Sequence, residues 1–83
     1  MSDELLKAIG AKVRSIREAR GVSQEGFARN VGMDRSYMGK IERGTQNISV
    51  VTAAKIAAAL GVSLAELFDG APTITDTAAN TAD

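Results

Sequence analysis

The sequence predicts an all-α fold of five helices, and three observations carry the prediction. Apolar residues recur at spacings of three and four in successive windows and nowhere alternate with the period of two that a half-buried strand needs. A serine or aspartate stands just before each window, and a glycine follows each of the first four. Hydrophobic residues make up 45% of the 83 and there is no cysteine, so a small apolar core rather than disulfides has to hold the chain.

Each helix has its own signals. Ser2 or Asp3 can cap the first, whose apolar residues Leu5/Leu6, Ile9, Val13 and Ile16 share one face before Gly21 ends it. Ser23 caps a second with Phe27, Ala28 and Val31 inward, closed by Gly32. Asp34 caps a third with Met38 and Ile41 inward, stopped by Gly44. Ser49 caps a fourth that runs to Leu60, with Val50, Ala53, Ile56, Ala57 and Leu60 on its inner stripe. Ser63 and Glu66 have capping-box spacing for a short fifth helix holding Leu64, Leu67 and Phe68. Residues 1–69 therefore read as one domain. Residues 70–83, "GAPTITDTAANTAD", contain the one proline, no aromatic residue and little bulk to bury, and read as a flexible tail that a partner could order.

Composition removes several function classes. Without histidine or cysteine the chain lacks the usual general base, nucleophilic thiol and metal ligands, so neither an enzyme nor a metal or other cofactor is expected. No small-molecule substrate and no membrane partner are expected: no apolar run nears the roughly 18 residues of a membrane span, and the start carries no signal-peptide pattern. The expected location is the cytoplasm. The formal net charge of zero hides an asymmetry. Residues 1–44 hold nine Lys/Arg against six acids, and the remainder holds Lys55 against four acids. A basic half points to a polyanion, although a merely solvated surface explains charge alone as well.

The second and third helices form a unit. Ala28 stands where two helices joined by a tight turn would cross and need a small side chain. Gly32 stands in the turn, where one residue must take a positive φ. Phe27, Val31, Met33, Met38 and Ile41 anchor both helices to one core, and the outer face of the third shows Arg35, Ser36, Gly39, Lys40 and Arg43. This pattern resembles the helix-turn-helix of the Cro and lambda-repressor-like family, often called Xre-type. All seven pattern positions match (Phe27, Ala28, Val31, Gly32, Met33, Met38 and Ile41), and the resemblance covers nearly all of residues 5–68. It implies a five-helix lambda-repressor-like DNA-binding domain. Within that family, "DRSYMGKIERG" followed by "QN" looks most like the small controller proteins of restriction-modification systems.

The third helix is then the expected recognition helix. Arg35 is the expected base reader, because its planar fork can donate twice to guanine; a phosphate contact is the alternative. Ser36 and Lys40 are secondary readers that could instead bind phosphate. Gly39 either lets the backbone approach the groove floor or answers a packing need, since glycine costs about 1 kcal/mol inside a helix. The resemblance implies that Gln24 contacts phosphate, and that Tyr37 contacts backbone or base; a ring packed over the core edge serves Tyr37 equally. Arg43 is expected on another phosphate, with Thr45, Gln46 and Asn47 adding neutral donors. The family pattern also implies a partly buried ion pair between Arg17 and Glu42, while Arg14, Arg20 and Arg29 read as solvated or steering charges.

One recognition helix reads too few base pairs to find a site in a genome, so a homodimer on a near-palindromic operator of double-stranded DNA is expected. Ile48 and Val51 fall outside the core stripe and are the expected dimer contacts, with parts of the fourth and fifth helices. Ala57, Ala58 and Ala59 either permit close helix approach or simply favour helix. The expected function is sequence-specific transcription regulation, as a restriction-modification controller. The competing readings are a phage-type repressor or an antitoxin whose residues 70–83 hold a toxin, and a helical bundle that only binds protein.

Overall fold

The computed structural model describes residues 2–70. Within them the chain forms α1 (Asp3–Ala19), α2 (Gln24–Asn30), α3 (Arg35–Arg43), α4 (Val50–Leu60) and α5 (Leu64–Phe68), with no strand among the described residues. The expected segment 70–83 lies, after Gly70, outside the described residues.

The caps work as their residue types require. Ser2, Ser23, Asp34, Ser49 and Ser63 each hold extended backbone, and each side chain accepts from an N–H of the first turn. A side-chain cap of this kind stabilises a helix by about 1 kcal/mol, which matters most for α2 and α5, at seven and five residues. At α5 the cap is reciprocal: Glu66 Oε1 accepts from the Ser63 N–H at 2.9 Å, and the Glu66 N–H donates to Ser63 Oγ at 3.0 Å. The backbone N–H of Ser63 holds the Glu66 carboxyl below its ordinary value, so this contribution is present near neutrality and is lost as falling pH protonates Glu66. At their other ends α1 to α4 close alike. The glycine N–H and the next N–H fold back onto carbonyls of the last turn, as Gly32 to Arg29 at 3.1 Å and Met33 to Ala28 at 2.8 Å.

α1 is the spine of the domain and packs against α3, α4 and α5. Leu6, Ile9, Val13, Phe27, Ala28, Met38, Ile41, Ala53, Ile56, Ala57, Leu60 and Leu67 build one core, with Leu5, Ile16, Val31, Met33, Tyr37, Leu64 and Phe68 half-buried against it. The α1 face read from the sequence is extended by two residues that periodicity places on the same stripe, Gly10 and Arg17, both buried.

Two expectations about α4 are corrected. Val50, expected on the inner stripe, is 62% exposed, and Ile48, expected outside the core, is buried at 7%. Ile48 immediately precedes the cap Ser49 and joins the same cluster as Ala53, the fourth residue of the helix. This is the hydrophobic-staple arrangement, in which the residue before the cap closes the core in place of one from the first turn. The pairs Met33 with Met38 and Val62 with Leu67 stand in the same positions at α3 and α5, and all four belong to the core or its rim.

Candidate nucleic-acid interface

What aims α3 is its seat on α1. A side chain on Gly10 would place its Cβ 2.6 Å from the Glu42 carbonyl oxygen and closer still to that of Ile41. One helix thus runs against the bare backbone at the end of the other. Gly44, at φ +77, sits as tightly one turn earlier along α1, where a Cβ would stand 2.5 Å from Lys7 Cα. No larger residue fits either place without separating the helices. Gly10 had no expected role, although a glycine on the buried stripe of a 17-residue helix is itself the signal, since alanine would favour the helix.

The expected ion pair is present and is buried rather than partly so. Arg17 Nε donates to Glu42 Oε2 at 2.7 Å and Arg17 Nη2 to Glu42 Oε1 at 3.0 Å, with the side chains 8% and 2% exposed. Arg17 Nη1 donates to the Val22 carbonyl at 2.7 Å. The guanidinium therefore ties α1 both to the entry of α2 and to the end of α3. The hydrogen bond to Glu42 raises the Arg17 pKa above its ordinary value against the opposing effect of burial, and the charge attraction of Glu42 adds to the rise. No buried side-chain polar atom among the described residues lacks a partner, which is the condition for a buried pair to be tolerated.

Glu42 also places Gln24. Gln24 Nε2 donates to Glu42 Oε1 at 3.1 Å. Because a carboxylate can only accept, the Gln24 NH₂ faces inward and its oxygen faces α3. Gln24, Arg35, Ser36, Gly39 and Arg43 line one open basin of about 450 Å³ at the mouth of the α2–α3 unit. Five expected site residues are thus brought together. Arg35, Ser36, Lys40 and Arg43 are exposed as expected. Gly39, expected on the outer face, is buried instead, because Arg43 and Gln24 lie over it.

The remaining expected residues do not line this basin. Tyr37 is half-buried against the core edge. The Thr45 hydroxyl donates to the Lys40 carbonyl at 3.3 Å and helps close α3, and Gln46 Nε2 donates to the Asn47 carbonyl at 3.2 Å. Thr45 and Asn47 are exposed and Gln46 is half-buried. Val51 is 67% exposed beside Val50, on α4. Ile48 belongs to the core and presents no such face.

The charges divide into two groups. Arg14 pairs with Glu18 at 3.1 Å, Arg29 approaches Glu25 at 3.8 Å, and Arg17 is held by Glu42. Arg35, Lys40 and Arg43, like Lys7, Lys12, Arg20 and Lys55 elsewhere, form no ion pair among the described residues, and the one acid of α3, Glu42, points inward. One face of a nine-residue rod is left cationic while the other is locked into the core. Among the described residues no cluster suits a metal ion, and no helix is long and apolar enough to cross a membrane.

Comparison with known proteins agrees with this geometry. A helix-turn-helix family profile matches residues 13–67. The control protein C.MunI of a Mycoplasma species is 45% identical over 60 residues, covering 71% of this chain and 81% of its own. The control protein C.BamHI of Bacillus amyloliquefaciens is 40% identical over 70 residues, covering 83% and 86%. The crystal structure of the restriction-modification controller protein C.AhdI from Aeromonas hydrophila superposes with a TM-score of 0.70 at 45% identity, over 75% of this chain and 90% of that one. With the motif, the five-helix architecture and these similarities in agreement, the chain belongs to the Xre-type helix-turn-helix family of DNA-binding transcriptional regulators.

Proposed function

We propose that this chain is a sequence-specific regulator that binds a near-palindromic operator as a homodimer and controls the genes of a restriction-modification system. The observation that carries the DNA reading is the outer face of α3: Arg35, Ser36, Lys40 and Arg43 exposed, with no acid partner among the described residues for its three cations. A purely protein-binding bundle has no use for that concentration of uncommitted charge. Phosphates on both sides of a major groove would satisfy it, with release of the counterions they had condensed. The likeness to control proteins and to a restriction-modification controller supports the biological setting. Val50 and Val51 supply the exposed apolar surface that a second copy would cover. Two copies related by a two-fold axis would place two recognition helices about 34–36 Å apart, one turn of DNA.

In this assembly Arg35, in the first turn of α3, reads a base edge with help from Ser36 and Lys40. Gln24, Tyr37, Thr45, Gln46 and Asn47 contribute on the backbone side. Selection of bound duplexes from a random pool tests the reading. The wild type is expected to enrich a two-fold symmetric sequence. Arg35→Ala is expected to lose discrimination at one position in each half-site by roughly 1–3 kcal/mol while other positions stay sharp. Recovery of no preferred sequence by the wild type would overturn the proposal. A uniform loss in Arg35→Ala would remove that residue as a reader.

A further inference from the structure

The glycine within the recognition helix is explained by what lies over it. A Cβ at Gly39 would stand 3.2 Å from Arg43 Nη1, so that the guanidinium end would have to shift by a few tenths of an ångström, and at an ordinary contact distance of 3.5 Å from Gln24 Oε1. The space is thus not open for the helix backbone to meet a groove floor; Arg43 fills it. Arg43 follows Gly39 by one helical turn, so its side chain lies back along the helix over that position. The Gln24 amide has its NH₂ held inward by Glu42 and turns its oxygen toward the same spot. A polar chain therefore runs from the buried Arg17 through Glu42 to Gln24, whose amide oxygen and the Arg43 guanidinium both border the Gly39 position.

We propose that Gly39 is a positioning residue: the space left by its absent side chain seats the Arg43 guanidinium beside the Gln24 amide, and the two grip one and the same DNA phosphate. The amide oxygen favours a guanidinium on that side, and Arg43 keeps further donors, as Gln24 keeps a second N–H, that the bond to Glu42 does not use. This rests on the DNA-binding reading above and adds to it a shared phosphate and a role for a residue that cannot touch DNA through a side chain.

The test measures the dependence of duplex affinity on salt for the wild type, Gly39→Ala, Arg43→Ala and the double variant, on the selected duplex and on an unrelated one. Each neutralised phosphate adds about 0.9 to the slope of log affinity against log salt. Gly39→Ala and Arg43→Ala are each expected to lower the slope by about 1.8, one phosphate in each half-site of the dimer, and to weaken both duplexes by the same factor. The double variant should fall no further. Arg43→Lys should keep the slope while Gly39 is intact and lose it when combined with Gly39→Ala. Thermal unfolding of Gly39→Ala should occur at or above the wild-type temperature, since alanine favours the helix; a lowered temperature would count against the proposed seat. An unchanged slope in Gly39→Ala, additive losses, or an altered base preference would overturn the proposal. Failure of the wild type to bind any duplex would instead sink the DNA reading itself.

Discussion

Replacing Glu42 by leucine should unfold the domain more effectively than removing both members of its ion pair. The substitution takes two hydrogen bonds, at 2.7 and 3.0 Å, from a guanidinium whose side chain is 8% exposed, and leaves Arg17 its bond to the Val22 carbonyl and a loose 3.9 Å approach to the exposed Glu18, which Arg14 already holds. Bonds to charged groups contribute about 1.5–3 kcal/mol each. Two of them give about 3–6 kcal/mol, in line with the roughly 3–5 kcal/mol lost when one member of a buried pair is removed. A domain with roughly 70 ordered residues has about 3–10 kcal/mol of total stability. Glu42→Leu should therefore lose a third or more of it, and should melt roughly 12–48 °C lower if it folds at all. Arg17→Met combined with Glu42→Leu removes the stranded charge, and should recover most of the loss because a well-packed apolar pair can replace a buried ionic one. Urea unfolding followed by circular dichroism measures both. A single variant within about 1 kcal/mol of the wild type, or a double variant worse than the single, would refute the assignment of the cost to an unpaired buried cation.

Two further outcomes follow from the packing. Gly10→Ala should destabilise the domain by roughly 1–3 kcal/mol, despite the better helix propensity of alanine, because the added methyl meets the carbonyls of Ile41 and Glu42; chemical denaturation checks it, and a stabilised variant would show that α1 and α3 are not in backbone contact. Val51→Asp should leave the fold intact, since the side chain is 67% exposed, but should shift the protein toward monomer in sedimentation equilibrium and weaken operator binding. An unchanged dimer would move the interface elsewhere.

Local signals determined much of this protein. Serine, aspartate and glycine act within one turn of their own position, so all five helix starts and the four glycine stops were legible from the residue types. The apolar residues of the buried faces of α1 and α3 followed from helical period, and the helix-turn-helix followed from Ala28 and Gly32 at their places between anchored apolar residues. The Arg17–Glu42 pair was legible only through resemblance, since 25 residues separate its members and no periodicity links them.

Tertiary structure decided the rest. Ile48 rather than Val50 closes the core, because the path of the loop into α4 chooses which apolar residue near the cap turns inward, and a period of 3.6 does not encode that path. Gly10 and Gly39 look alike in the sequence, each a costly residue inside a helix. One lets two backbones touch and the other seats an arginine, and only the neighbours brought in by folding distinguish them. Gln24 is likewise a surface amide until Glu42, buried from the far side by Arg17, fixes which of its ends faces out. What a residue meets along its own helix is a matter of order in the chain. What it meets across the core depends on how the helices are stacked, and that is set by all the contacts together.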